Sequence, residues 1–309
     1  MIVIFIITSV FISAIWIDYY RLIGNYSKSS LLPILTAYIL GCLSVLITLG
    51  IDKILPIGII TNTPNKLLSI FLYFTIDAGL VEEFSKSIPF LLIYLMFKKR
   101  LETPIDYIAY FSFLALGFLT VENVMYFSDG TAIGMRAILC TLGHIIDTSF
   151  IAYGIVLCTF KKVKSKTLTV VVFSIIGVLS HSLYDFFISF VNVYTYGWIP
   201  GILCFFITVP LFTRIINNSL NNSILKLDFK NTNRDKIFTR LLLLYCIVLV
   251  MEFITFIIRW NFDSAIYWTI FSIFTDGIVM FITFYYLSKI RIKIDKWEKL
   301  RLSLPLTYN

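Results

Sequence analysis

Four ionisable side chains interrupt an apolar stretch of this sequence that is long enough to cross a membrane. They are Asp77, Glu82, Glu83 and Lys86, and Pro89 follows them closely. A charge at the bilayer centre costs roughly 2.5 kcal/mol or more, so such groups usually face a partner or a wet cavity. On a helix, Lys86 can neutralise one glutamate while the other points roughly 100° away, and Pro89 predicts a kink beside them. A self-paired structural patch is the alternative, although adjacent glutamates suit a neutral pair poorly.

Three later apolar segments carry the other unusual residues. Glu122 and Asn123 are adjacent in one segment, His144 lies in the next, and His181 precedes Asp185 by one helical turn in a third. The chain has two histidines, and both are in this group. A carboxylate can act as a general base on water, imidazoles can hold a metal or an oxyanion, and a second acid can orient an imidazole. The pattern therefore indicates a functional site inside a membrane.

The composition predicts an integral membrane protein. Of the 309 residues, 59% are hydrophobic and 14% are charged, with a mean hydropathy of +0.89, which is too apolar for a soluble domain. The net charge of +8 is better explained by membrane topology than by a nucleic-acid partner. The five cysteines lie in hydrophobic runs without CxxC spacing, which argues against disulfides, zinc knuckles and thiol catalysis.

We predict an all-α, polytopic bundle of nine membrane spans, each near the length that a hydrocarbon core of about 30 Å requires. The predicted spans are residues 1–17, 31–51, 67–97, 107–127, 135–160, 167–190, 199–216, 241–258 and 265–288. We divide the chain into N-terminal helices (1–66), a catalytic helical core (67–190) and C-terminal helices with a basic cytoplasmic tail (191–309). The last spans are either a sensory or gating module or plain packing helices.

The basic residues predict the orientation of the bundle. When the 26 lysines and arginines are sorted by alternate loops, 21 fall on one side, and Lys86 lies within the membrane. The other side holds Lys53, Lys66, Arg136 and Arg259. By the positive-inside rule, the N-terminus is expected outside the cell and the C-terminus in the cytoplasm.

The unusual residues are also expected at a common depth. At 1.5 Å per residue, Glu122 lies roughly 8 Å inside the outer end of its span, and His144 and His181 each lie roughly 14 Å inside theirs. Glu82 and Glu83 fall at roughly 15–18 Å. Four helices that run in alternate directions thus bring these side chains to the outer half of the bilayer.

Taken in order on four successive helices, these motifs resemble the PrsW family of intramembrane proteases, a branch of the superfamily of type II CAAX prenyl proteases and bacteriocin self-immunity proteins. The resemblance covers roughly residues 70–190. It implies a protease of the bacterial plasma membrane that makes the first cut in a membrane-anchored anti-sigma factor, in response to envelope stress or antimicrobial peptides. The motifs are Glu82-Glu83-x-x-Lys86, Gly117-Phe118 with Glu122-Asn123, Gly143-His144, and His181-x-x-x-Asp185.

By position, the resemblance makes Glu82 or Glu83 the base that activates water. Further site groups would be Glu122, His144 and His181, with Lys86, Asn123 and Asp185 in support. Two histidines and a carboxylate form a standard catalytic zinc set with one open position, so His144, His181 and Glu122 are the expected zinc ligands. Water activation by glutamate without a metal would use the same residues, and the sequence leaves both mechanisms open.

Two other functions fit the same residues. Chains of Asp, Glu and His also mark proton relays, which favours an ion- or proton-coupled transporter. Against a transporter, the sequence has no internal repeat and its acids cluster in the third to sixth spans. A non-catalytic immunity protein of the same superfamily is the other alternative. For the protease, the expected partners are a single-pass membrane protein or peptide substrate and the lipid bilayer.

Overall fold

The protein is a bundle of helices. The computed structural model describes residues 1–24, 31–130, 133–189, 198–223 and 234–300, and all regular elements within these ranges are helical. This confirms the all-α polytopic prediction. The α-helices are α1 (Ile2–Gly24), α2 (Leu31–Ile54), α3 (Ile57–Ile60), α4 (Lys66–Phe74), α5 (Glu83–Ser87), α6 (Phe90–Phe97), α7 (Pro104–Asp129), α8 (Ile133–Met135), α9 (Thr141–Phe160), α10 (Lys166–Ser189), α11 (Trp198–Asn221), α12 (Arg234–Arg259) and α13 (Phe262–Ser288).

Seven of the described helices are long and apolar enough to cross a membrane. They are α1, α2, α7, α9 with the π-helical turn before it, α10, α11 and α12. The pair of helical pieces within α13, bent by 44°, adds an eighth if it is one span. The chain is therefore a multi-pass protein of the cell membrane, while the count of nine spans stays a prediction.

The predicted third span, 67–97, is not one continuous helix. A π-helix over Thr75–Glu82 joins α4 to α5, and α5 ends two residues before Pro89, beyond which α6 begins. The break at Pro89 confirms the predicted interruption beside the carboxylates, because proline lacks the backbone N–H that would continue the helix. A π-helical turn holds one residue more than an α-turn and is frequent at functional sites.

Helix α7 is the centre of the bundle and packs against α1, α2 and α9. It begins with a capping box between Thr103 and Asp106, and Pro104 follows the cap. It ends at Gly130, whose φ of 97° is a left-handed conformation that glycine adopts without strain. These start and stop signals fix the register of the helix that carries Glu122.

Two glycines let α2 lie directly against α7. A Cβ atom at Gly41 would be 2.1 Å from the carbonyl oxygen of Leu114, and one at Gly117 would be 2.0 Å from that of Tyr38. In a membrane, where lipid tails are as apolar as leucine, such close backbone contact is a main source of helix association. Any larger residue at either position would push the two helices apart.

The basic C-terminal segment lies against the end of α11 within the described residues. Asn221 accepts a hydrogen bond from the backbone of Lys293 at 2.6 Å, and Asn218 accepts one from Glu298 at 2.9 Å. A hydrogen bond from the Lys293 side chain lowers the pKa of Glu298. The tail is thus attached to the bundle as far as residue 300, and residues 301–309 lie outside the described part.

Candidate active site

A buried lysine joins the groups of the third segment to α9. The Nζ of Lys86 donates to Glu82 Oε2 at 2.9 Å, to Glu83 Oε1 at 3.0 Å and to His144 Nδ1 at 2.7 Å. Its side chain is fully buried. Lys86 therefore pairs with both glutamates and not with one, since they precede it by four and three residues on the helix.

Glu83 is enclosed, and both of its oxygens have partners. Its Oε1 accepts from Lys86 and from His181 Nδ1, the latter at 2.9 Å, and its Oε2 accepts from Thr148 Oγ1 at 2.8 Å. The side chain is 0% exposed, whereas that of Glu82 is 19% exposed. Thr148 was missed in the sequence, although it follows His144 by one helical turn and so shares its face.

The two imidazoles face each other across the site. Their ring centres are 4.8 Å apart and the rings are nearly perpendicular. His144 Nε2 lies 3.1 Å from Glu122 Oε2. His181 Nε2 lies 3.3 Å from Asp185 Oδ2 and 3.8 Å from Glu82 Oε2. Each imidazole is thus oriented by a carboxylate, as imidazoles in hydrolytic and metal sites usually are.

Arg136 is a site residue that the sequence interpretation had assigned to an outer loop. It is buried, and its Nε donates to Asn123 Oδ1 at 2.7 Å. Its Nη2 lies 3.1 Å from Glu122 Oε1, and the guanidinium stacks 3.8 Å from the ring centre of Tyr126. It is the first residue of a second π-helix, Arg136–Cys140. The signal in the sequence was a cation at the very start of an apolar segment, beside acids at a similar depth.

A small cavity of about 30 Å³ lies at this side of the site. By volume, it has room for about two water molecules among polar groups that can bind them. Tyr126, at its rim, is 43% exposed. The lining residues are Glu122, Tyr126, Arg136, Cys140, Gly143, His144, Asp147, His181, Tyr184 and Asp185.

Close packing of α10 places His181 beside the glutamates. A Cβ atom at Gly79, in the first π-helix, would lie 2.1 Å from Ser182 Oγ, the residue after His181. A Cβ atom at Gly177 would lie 2.6 Å from the carbonyl oxygen of Asp147 on α9. Glycine at both positions is therefore required for the contact that brings three backbone segments together around the imidazoles.

All eight residues that the sequence singled out for the site meet in this one region. Asp77 does not join them. It lies instead with Asp52 and Tyr73 beside a separate cavity of about 280 Å³. The eight residues are Glu82, Glu83, Lys86, Glu122, Asn123, His144, His181 and Asp185.

Three residues at the centre offer a ligand set for a metal ion, although the Lys86 ammonium hydrogen-bonds to two of them, Glu82 and His144, in this structure. Within the described residues, Glu82, His144 and His181 form a group in which one potential ligand atom from each lies within 4.8 Å of the others. Two imidazoles and one carboxylate make up a common set for catalytic zinc. The proton on His181 Nδ1 is directed at Glu83, which leaves Nε2 as the potential ligand. The carboxylate grouped with both imidazoles is therefore Glu82, while Glu122 contacts His144 alone.

Comparison with known proteins agrees with this geometry. Residues 30–215 match the family described as PrsW family intramembrane metalloprotease. The chain is also 28% identical over 188 residues to Protease PrsW of Clostridioides difficile (strain 630), an alignment that covers 58% of this chain and 76% of the relative. No solved structure matches the chain. The matched region contains every residue of the site and favours the protease over the transporter and immunity alternatives; the chain belongs to the PrsW family of intramembrane metalloproteases.

Proposed function

We propose that this protein hydrolyses a peptide bond of a membrane-anchored protein at the site formed by Glu82, Glu122, His144 and His181. The observation that supports this most directly is the convergence of carboxylates and two imidazoles beside a cavity with room for water. Hydrolysis needs a base, a water molecule and groups that accept developing charge, and all three requirements have residues here.

Within this proposal the two adjacent glutamates have different tasks. Glu82 is partly exposed, and its Oε2 lies 2.9 Å from Lys86 and 3.8 Å from His181, so it is placed to accept a proton from water. Glu83 is enclosed by Lys86, His181 and Thr148, and it holds those groups in position. Of the two glutamates that the family resemblance leaves open, Glu82 is therefore our choice: it is the base where water is activated without a metal, and a ligand where zinc is bound.

We propose zinc as the cofactor, held by His144, His181 and Glu82. A bound zinc ion supplies Lewis-acid polarisation of a carbonyl and makes a nearby water more acidic. The residues of the chain do the remaining work. Lys86 balances the charge of the glutamates, and Glu83 orients the imidazole of His181 through Nδ1, while Asp185 lies 3.3 Å from the Nε2 atom that would bind the ion.

The cut is proposed to lie at the outer end of the substrate's transmembrane segment or just beyond it. With the N-terminus outside, the site lies about 8–18 Å below the outer surface. A closed substrate helix keeps its carbonyls hydrogen-bonded, so the scissile bond must first unwind into a polar cavity. The rim beside Tyr126 and Tyr184 is the side at which such a strand meets the polar groups.

A membrane-anchored anti-sigma factor is the proposed substrate, with cleavage as the first step of a response to envelope stress or antimicrobial peptides. This choice of substrate follows from the family resemblance of the four motifs. The site is compatible with such a substrate, because cleavage there requires only a single membrane segment with a short unwound stretch. The two alternatives without proteolysis, a transporter and an immunity protein, are tested by the cleavage experiment described next.

The test is cleavage of single-pass substrates by purified protein, compared with its Glu82→Gln variant. We expect wild-type protein to produce a new terminus in the outer part of the substrate segment, as read by mass spectrometry, and Glu82→Gln to lower the rate at least about 10³-fold. About one zinc per chain is expected by elemental analysis, with loss of the ion in His181→Ala. Cleavage that survives in Glu82→Gln, or a cut in the cytoplasmic half of the substrate segment, would contradict the proposal.

A further inference from the structure

We infer that Arg136 is a positioning residue of this site, and that its guanidinium holds Glu122 in the orientation in which that carboxylate fixes the imidazole of His144. The inference rests on the proposed function, because it assigns a role within the same reaction. It adds a residue that lies outside the four motifs by which the family resemblance was drawn.

The contacts form a continuous chain from Arg136 to the glutamate pair. Arg136 Nη2 lies 3.1 Å from Glu122 Oε1, and the other oxygen of Glu122 lies 3.1 Å from His144 Nε2. His144 Nδ1 accepts a hydrogen bond from Lys86, which also donates to Glu82. The imidazole of His144 lies between the Glu122 carboxylate and the Lys86 ammonium, so a displacement at the open end of the chain reaches His144 through Glu122.

The guanidinium is held on three sides. Its Nε donates to Asn123, its Nη2 faces Glu122, and its plane stacks on Tyr126. These three contacts use the planar fork and the flat face of arginine, neither of which a lysine ammonium offers. The contacted residues Glu122 and Asn123 are adjacent in α7, so one guanidinium holds two neighbouring side chains.

Glu122 depends on this contact because its other oxygen has no second support. Among the described residues, Glu122 Oε2 is buried and has no hydrogen-bond partner in good alignment, although His144 Nε2 is 3.1 Å away. Arg136 Nη2 also lacks an aligned hydrogen bond, so the contact at Oε1 is an ion pair that attracts Glu122 on the side facing away from the imidazole, while Oε2 faces His144. Without Arg136, nothing in the described contacts would keep Glu122 Oε1 away from His144.

Stability alone does not account for an arginine here. Removing two charges from water costs several kcal/mol per ion, so a buried ion pair is weak evidence for stability and is often replaceable by apolar residues of similar volume. In a membrane the cost of a charge is higher still. The pair is best explained by the geometry that it imposes on the residues at the cavity.

The experiment measures kcat and KM for substrate cleavage by Arg136→Lys, Arg136→Gln and Arg136→Ala. Because misplacement of a catalytic group by about 1 Å costs roughly 10²-fold in rate, we expect Arg136→Gln to lower kcat about 10²-fold, with KM changed by less than about three-fold. Arg136→Lys should lose nearly as much, since it keeps the charge but not the fork. Added methylguanidinium should restore part of the kcat of Arg136→Ala.

Two controls separate positioning from general loosening of the fold. Arg259 also lies at this end of α7, where it donates to the carbonyl oxygens of Phe127 and Ser128 without touching the site, so Arg259→Gln should leave kcat within about two-fold. The double variant Arg136→Gln/Glu122→Gln should be no slower than Glu122→Gln alone, because both changes remove the same effect.

The outcomes are distinct. If Arg136→Gln cleaves substrate with the kcat of the wild-type protein, the role of Arg136 is overturned and the proposed protease stays intact. The same holds if the losses of the two single variants add fully in the double variant. An equal loss in Arg259→Gln, without rescue by methylguanidinium, would overturn the role as well. Full activity in Glu122→Gln would instead contradict the proposed site itself.

Discussion

The two halves of the site are built differently. In the enclosed half, around Lys86 and Glu83, each charged group is deeply buried and has several direct partners. In the open half, around Glu122 and Arg136, the groups line a cavity, and Glu122 Oε2 and Arg136 Nη2 are buried without an aligned hydrogen bond. The described contacts thus place satisfied charges where the helices join and unsatisfied ones beside the cavity.

This difference separates two costs that a charged site in a membrane must meet. The enclosed half offsets the desolvation of its charges with hydrogen bonds, so changes there should act on folding first. The open half has polar atoms that are free to bind water or substrate, so changes there should affect the reaction before they affect folding. The three predictions that follow test this division, from the half with the larger expected effect to the half with the smaller.

Lys86→Met should give the largest effect. It leaves the carboxylate of Glu83 buried without its cation, a change that typically costs about 3–5 kcal/mol in free energy of unfolding. We expect a clear fall of the thermal midpoint in detergent together with loss of cleavage. The matched control, Lys86→Met/Glu83→Gln, should regain part of the midpoint but no activity. An unchanged midpoint in the single variant would show that the enclosed half is not a structural centre.

Glu122→Gln should give an intermediate effect, with a larger loss of rate than of stability. The amide keeps the shape but no longer balances Arg136 or orients His144 as a carboxylate does, so kcat should fall about 10²–10³-fold. The thermal midpoint should move less than in Lys86→Met, because the group already borders a cavity. Measuring both quantities on the same preparations tests the comparison. A larger loss of stability than of rate would reverse the assignment of the two halves.

Cys140→Ala should give the smallest effect. The thiol lines the cavity 3.6 Å from the hydroxyl of Tyr184, but it contributes no charge to the described network. We expect kcat within about two-fold of wild type, as for most changes away from named interactions. Rates from single-turnover cleavage provide the measurement. A loss above tenfold would mean that the open half depends on its uncharged lining as well.

Much of the site could be predicted, because a charge in a membrane costs free energy and is rarely found there without a function. Helical periodicity then shows which of these charges share a face. Glu82, Glu83, His144 and His181 are conspicuous in apolar surroundings, and counting residues along straight helices places them at one depth. The structure brings these side chains together, while their depth in the membrane stays a prediction. The all-α class followed from composition in the same way, because only helices satisfy the backbone of such apolar segments in lipid.

The sequence could not reveal what depends on departures from a regular helix. Arg136 was assigned to a loop because a cation at the start of an apolar segment usually faces water, whereas the structure buries it at the start of a π-helix. Lys86 was expected to neutralise one glutamate, because the sequence does not show that one ammonium contacts both carboxylates. Thr148 is a different case, since its spacing from His144 was visible, but a threonine in a helix is common and costs little. Pairing across helices depends on backbone approach at glycines such as Gly79, which periodicity does not encode.

The first π-helix makes the site sensitive to chain length. If one residue were deleted within Thr75–Glu82 and the stretch became a regular α-helix, the wide turn that accommodates the extra residue would be lost, and residues within the stretch would change the helix face on which they lie. Gly79 would then no longer face Ser182 while Glu82 and Glu83 face Lys86. The length of this eight-residue stretch therefore carries as much information about function as its acidic residues, and a gap there in a related sequence would indicate a differently assembled site even where both glutamates remain.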